Sequence, residues 1–122
     1  MSDKKTSTDF KNIFRVREAI EKEGERILRI ITAEDGHPWG LDFVQLQECP
    51  RHYHNKTTEV YVIVEGSINL EVDGKISTLN QGDHVSLKPG QVHKVFDGQP
   101  GTQMMVFSFP PSQEEDFIEA PA

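Results

Sequence analysis

From Glu25 onward the chain is a succession of short β-patterned runs, each closed by an explicit turn signal. Glu65-Gly66 and Asp73-Gly74 separate runs at hairpin spacing. Asn80-Gln81-Gly82-Asp83, Lys88-Pro89-Gly90 and Asp97-Gly98-Gln99-Pro100-Gly101 separate the runs that follow, and Pro110-Pro111 ends the last. Ser67 to Val72 shows the pattern most clearly: Ile68, Leu70 and Val72 share one face, Asn69 and Glu71 the other. Thr58 to Val64 is rich in β-branched residues, and Leu41 to Gln47 sets Leu41, Phe43 and Gln45 against Asp42, Val44 and Leu46. With Glu25–Thr32, His84–Lys88, Gln91–Phe96 and Thr102–Phe109, the count is about eight short strands, which predicts an all-β sandwich or barrel. Closure or double-sheet packing removes the edges that such strands otherwise leave open.

The remaining segments carry weaker signals. Phe10 to Glu23 is ambiguous; a short helix from Phe14 with Gly24 as its stop is one reading. Residues 1–9 are polar and unpatterned and read as a disordered tail. Residues 112–122 read as a loose acidic tail, with Phe117 and Ile118 available to pack on the body or on a partner. That leaves residues 10–111 as a single domain, as expected for a chain of 122 residues.

Composition narrows the partners. Thirteen basic against 20 acidic residues give a net charge of −7, which argues against nucleic acid or an anionic membrane. No stretch is long and apolar enough to span a bilayer or to read as a signal peptide. The single cysteine, Cys49, excludes an intramolecular disulfide, so the default home is the reducing cytoplasm. Cys49 itself is a metal ligand, a reactive thiol or a small buried apolar residue.

Within this frame four residues stand out: His52, His54, Glu59 and His93. On an extended segment His52 and His54 look to one side, and Glu59 opens the next strand with Tyr61 and Ile63 on its face. His93 follows the Lys88-Pro89-Gly90 turn. Three imidazoles and a carboxylate around one point are a divalent-metal site with coordination positions left open.

These residues resemble the two motifs of the cupin superfamily. His52-Tyr53-His54, four residues, Glu59, six residues and Gly66 match the first motif; Gly82, Gly90 and His93 match the second in spacing. The chain departs from the pattern at Leu46 (glycine in the family), at Lys88 with Pro89 one place late, and at Asp97 (asparagine). The resemblance covers Leu41 to Phe109. It implies a β-barrel of jelly-roll type and a metal held by His52, His54, Glu59 and His93. It also implies a homodimer paired through edge strands.

Mixed imidazole and carboxylate ligation suits Fe, Mn, Ni or Co, with zinc a further candidate; magnesium and calcium prefer all-oxygen sites. The leading expectation is a metal-dependent dioxygenase, isomerase or lyase acting on a small oxygen-rich molecule. The alternative is a non-catalytic barrel that binds or senses a small molecule. Tyr61 is either a general acid or base, or a barrel-lining aromatic with a satisfied hydroxyl. His84 reads as a surface or packing histidine. His37 and Trp39 lie in a loop that either lines a pocket mouth or forms a plain turn.

Overall fold

The computed structural model describes residues 16–121, so the expectation for residues 1–9 lies outside it. Eleven strands follow in order: β1 (Glu18–Lys22), β2 (Glu25–Ile31), β3 (Gly40–Leu46), β4 (Cys49–Tyr53), β5 (Thr58–Glu65) and β6 (Ser67–Val72). Then come β7 (Lys75–Asn80), β8 (His84–Leu87), β9 (His93–Phe96), β10 (Gln103–Phe109) and β11 (Ile118–Glu119). They form a six-stranded sheet, β1-β2-β3-β10-β5-β8, and a five-stranded sheet, β11-β4-β9-β6-β7. Neighbouring strands pair antiparallel throughout. The inner faces share one core, so the all-β jelly-roll expectation holds. Among the described residues, no helix is long and apolar enough to cross a membrane.

The helix reading of the N-terminal segment is corrected over its described part. Glu18–Lys22 is a strand, registered against β2 from Glu18↔Arg29 to Lys22↔Glu25. Gly24, at φ +78°, turns the hairpin instead of stopping a helix. The ladder that β2 offers outweighs the weak local helix preference of Glu-Ala-Ile-Glu-Lys. In the C-terminal segment Phe117 packs on the body, as the tail reading allowed, and the residues around it are built rather than loose. A 3-10 turn at Glu114–Asp116 leads into β11, which pairs with β4.

The period-two pattern lays the inner residues in rows across β3, β10 and β5. Val44, Met104 and Ile63 form an apolar row. The next holds Asp42, Val106 and Tyr61, and the next Gly40, Ser108 and Glu59. All of these residues are buried, so the interior turns from apolar to polar within four residues of each strand. On the facing sheet Leu70 pairs with Val95, while His93 pairs with both Val72 and His52. Both sheets therefore place their polar inner residues toward the same end of the barrel. Buried polar groups are costly without partners, so that end is where a ligand is expected.

Candidate metal centre

Local structure positions each of the four side chains. His52 lies on β4 and His54 immediately after it; Glu59 is the second residue of β5; His93 is the first of β9. All four are buried, and their ligand atoms lie within 4.8 Å of one another. The structure thus gathers the set marked by the motif spacing.

The imidazoles are oriented from behind. His52 Nδ1 lies 2.7 Å from the Pro50 carbonyl, His54 Nδ1 2.7 Å from the Asp116 carbonyl, and His93 Nδ1 3.0 Å from the Gln91 carbonyl. A carbonyl only accepts, so each Nδ1 donates and each neutral ring presents the Nε2 lone pair to the cluster. His54 Nε2 lies 3.0 Å and His93 Nε2 3.6 Å from Glu59 Oε1. Lone pairs facing a carboxylate oxygen repel unless a cation lies between them. The same two nitrogens are the buried side-chain polar atoms left without a hydrogen bond among the described residues. A divalent metal fits this donor set: it removes the repulsion and satisfies both orphaned nitrogens.

The ionisation of the centre follows from its charges. Burial raises the Glu59 carboxyl, but His54 and His93 outweigh it and bring its pKa down to about 2. Burial lowers the His54 pKa, yet the Glu59 carboxylate beside it prevails and raises it. Burial, with His93 beside it, pulls His52 down to about 4. Metal ligands must be unprotonated, and His52 and Glu59 already favour that state near neutral pH.

A small cavity of about 60 Å³ opens onto the cluster. Its walls include Glu25, Arg29, Asp42, Tyr61, Met104 and Phe117. Burial raises the Glu25 carboxyl and lifts Asp42 to about 6, although Arg29 Nη1 donates to Asp42 Oδ2 at 3.1 Å. Tyr61 donates its hydroxyl to Glu59 Oε1 across 3.5 Å, and burial pushes its pKa well up.

Sequence reasoning missed Asp42, Glu25 and Arg29. The signal for Asp42 was its parity: one charged residue in the alternation that carries Val44 and Leu46 inward. Cys49 is buried in the core, and burial raises its thiol pKa; it is not among the four clustered ligands. His84 is exposed on β8, opposite in parity to buried Leu87. His37 and Trp39 stack on each other at 4.9 Å and are not among the residues that line the cavity.

The family model described as Cupin domain matches residues 43–110. No curated protein matches the chain. Among solved structures, Streptomyces PAC13 with uridine is 14% identical and superposes over 88% of each chain with a TM-score of 0.73. Ectoine synthase from P. lautus is 16% identical, covering 97% of this chain and 91% of its own, with a TM-score of 0.73. KdgF from Halomonas sp. is 15% identical, covering 79% of this chain and 90% of its own, with a TM-score of 0.69. At these identities the likeness is one of fold.

Proposed function

This chain belongs to the cupin domain family, and on that premise we propose that it is a divalent-metal enzyme that moves protons on a small oxygen-rich molecule, as a lyase or an isomerase. The observation that carries the reading is the pair of orphaned nitrogens, His54 Nε2 and His93 Nε2, turned toward the Glu59 carboxylate beside a cavity whose walls include Glu25, Asp42 and Tyr61. His52, His54 and His93 would hold the metal through Nε2, and Glu59 through its carboxylate. When bound, the metal supplies Lewis acidity to a substrate oxygen.

The other steps belong to the chain. Asp42, with a pKa near 6, takes a proton from the substrate and can return it near neutral pH. Tyr61 stays protonated and serves as a donor beside Glu59. Arg29 orients Asp42, and Met104 and Phe117 exclude water from one side of the cavity. PAC13, which shares the fold, is described as a nucleoside dehydratase, and dehydration is a lyase reaction that moves protons. That kinship of chemistry, with Asp42 and Glu25 in the walls, favours proton transfer over a dioxygenase reaction at the same ligands.

The test begins with elemental analysis of anaerobically purified protein beside His52→Ala and Glu59→Ala. Near-stoichiometric Fe, Mn, Ni, Co or Zn that disappears in both variants supports the centre. A substrate screen then follows with and without oxygen. Anaerobic turnover is expected, and oxygen uptake coupled to turnover would replace this reading with the dioxygenase one. Stabilisation by a compound without turnover would favour the binding or sensing barrel. No metal even after reconstitution would sink the enzyme reading.

A further inference from the structure

The outer support of the centre comes from the far end of the chain. Asp116 is buried, and its carboxylate accepts the backbone N–H groups of Asn55 (2.9 Å), Lys56 (3.1 Å) and Thr57 (3.1 Å). Those three residues belong to the connection that carries His54 at one side and Glu59 at the other. The main-chain carbonyl of Asp116 also accepts from His54 Nδ1, across 62 positions of sequence. One residue therefore fixes both the ring of one ligand and the loop that joins two.

The next residue extends the contact. The Phe117 ring stacks on His52 with centroids 4.1 Å apart and planes 18° from parallel, and β11 then pairs Glu119 with His52. Gln113, Glu114 and Phe117 also form part of the cavity wall. Yet β11 contributes only the pairs Ile118↔Tyr53 and Glu119↔His52 to the ladder. A two-residue strand holds weakly by itself, so docking of this segment depends on the groups beneath it.

We propose that residues 113–119 are a strap whose docking is coupled to metal occupancy of the centre, with Asp116 as the positioning residue that joins the two. The proposal rests on the metal-dependent reading above. With His54 and Glu59 both held at an occupied centre, the 55–57 connection between them would be ordered, and that connection is the docking site of the Asp116 carboxylate. Coupling of this kind is reciprocal: what strengthens the strap strengthens metal binding, and the reverse.

The experiment uses the full chain with Co(II) and with chelator. Hydrogen exchange at Asn55, Lys56 and Thr57, and at Ala120, which donates to the Arg51 carbonyl, is expected to slow by about tenfold or more with Co(II). Asp116→Ala, which keeps the carbonyl on His54 but removes the carboxylate that fixes the 55–57 connection, is expected to weaken Co(II) binding by roughly 10–100-fold and to change the visible Co(II) spectrum. Asp116→Asn, which keeps one acceptor oxygen, is expected to fall between the two. A lower melting temperature in Asp116→Ala with unchanged Co(II) affinity and spectrum would reduce Asp116 to a structural role and overturn the proposal. So would equal exchange in the parent with and without Co(II), a result that stands even if the variant fails to fold. Failure of the parent to bind Co(II) would remove the metal reading itself, a different outcome from metal binding without coupling.

Discussion

His52 and His93 are direct cross-strand partners on β4 and β9, with ring centroids 4.2 Å apart in the buried end of the barrel. Two imidazolium ions cannot share such a site without strong repulsion, which is one reason His52 resists protonation. With its Nδ1 donated to the Pro50 carbonyl, the uncharged His52 ring turns its Nε2 lone pair to the cluster, ready for a cation.

Metal is expected to stabilise the fold. At a free concentration of 100 times Kd, linkage gives about 2.7 kcal/mol, a shift on the order of 10 °C in melting temperature. Melting of Co(II)-loaded and chelated protein measures it, with Glu59→Ala losing the difference. Superimposed curves for the parent would show that metal does not support the fold.

The pH dependence of His52 has a definite sign. Its folded pKa, about 4, lies below the ordinary value of 6.5, so between these the unfolded chain holds a proton that the folded protein does not. Stability therefore falls as pH drops through that window, by about 3 kcal/mol in full. Other groups titrate nearby, so the readout is metal-free parent minus His52→Gln. The difference is expected to decline from about pH 6.5 to about pH 4 and to be flat above pH 7.

Asp42 has the opposite sign. Its folded pKa, about 6, exceeds the ordinary 3.8, so it weakens the fold above pH 6, and the penalty disappears below pH 4. Relative to the parent, Asp42→Asn is expected to gain about 3 kcal/mol between pH 4 and pH 8, measured by denaturant melts. Metal content is expected to be unchanged. Once a substrate is known, the variant is expected to lose about 10²–10⁴-fold in kcat. An identical pH profile in parent and variant would show that Asp42 is not held protonated.

Gly66, at φ +87°, turns the chain from β5 in one sheet to β6 in the other, and a Cβ there would collide with Thr102 Oγ1. Gly66→Ala adds both a left-handed backbone penalty and a clash with a buried side chain. The expected loss is about 2 kcal/mol or more by denaturant unfolding. A loss of only a few tenths would show that Thr102 moves aside freely.

The four clustered residues were legible in the sequence because their geometry is local: strand parity places His52 and Glu59, and the turn before β9 aims His93. The β6–β7 hairpin was legible for the same reason, with Asp73 and Gly74 both in the left-handed region as such a turn requires. Glu65-Gly66 also has hairpin spacing but instead passes the chain between the two sheets, because β5 pairs with β8 and β10 and β6 with β7 and β9. What escaped was either weakly patterned or distant. β1 is mostly exposed and has no apolar alternation, so only its pairing with β2 reveals it. Asp116 acts on His54 through a backbone carbonyl, which any residue type supplies, so the sequence carries no mark of that bond. Asp42 and Arg29 resemble solvent-facing charges until the rows across β3, β10 and β5 show the aspartate pointing inward.

Those rows have a further consequence. The Val44–Met104–Ile63 row and the Gly40–Ser108–Glu59 row are separated by one intervening row, Asp42–Val106–Tyr61. Folding free energy is concentrated at one end and reactivity at the other. Mutation can therefore explore new ligands row by row at the polar end without first surrendering the packing that keeps the chain folded. A barrel divided in this way is suited to evolutionary change of substrate at nearly constant stability.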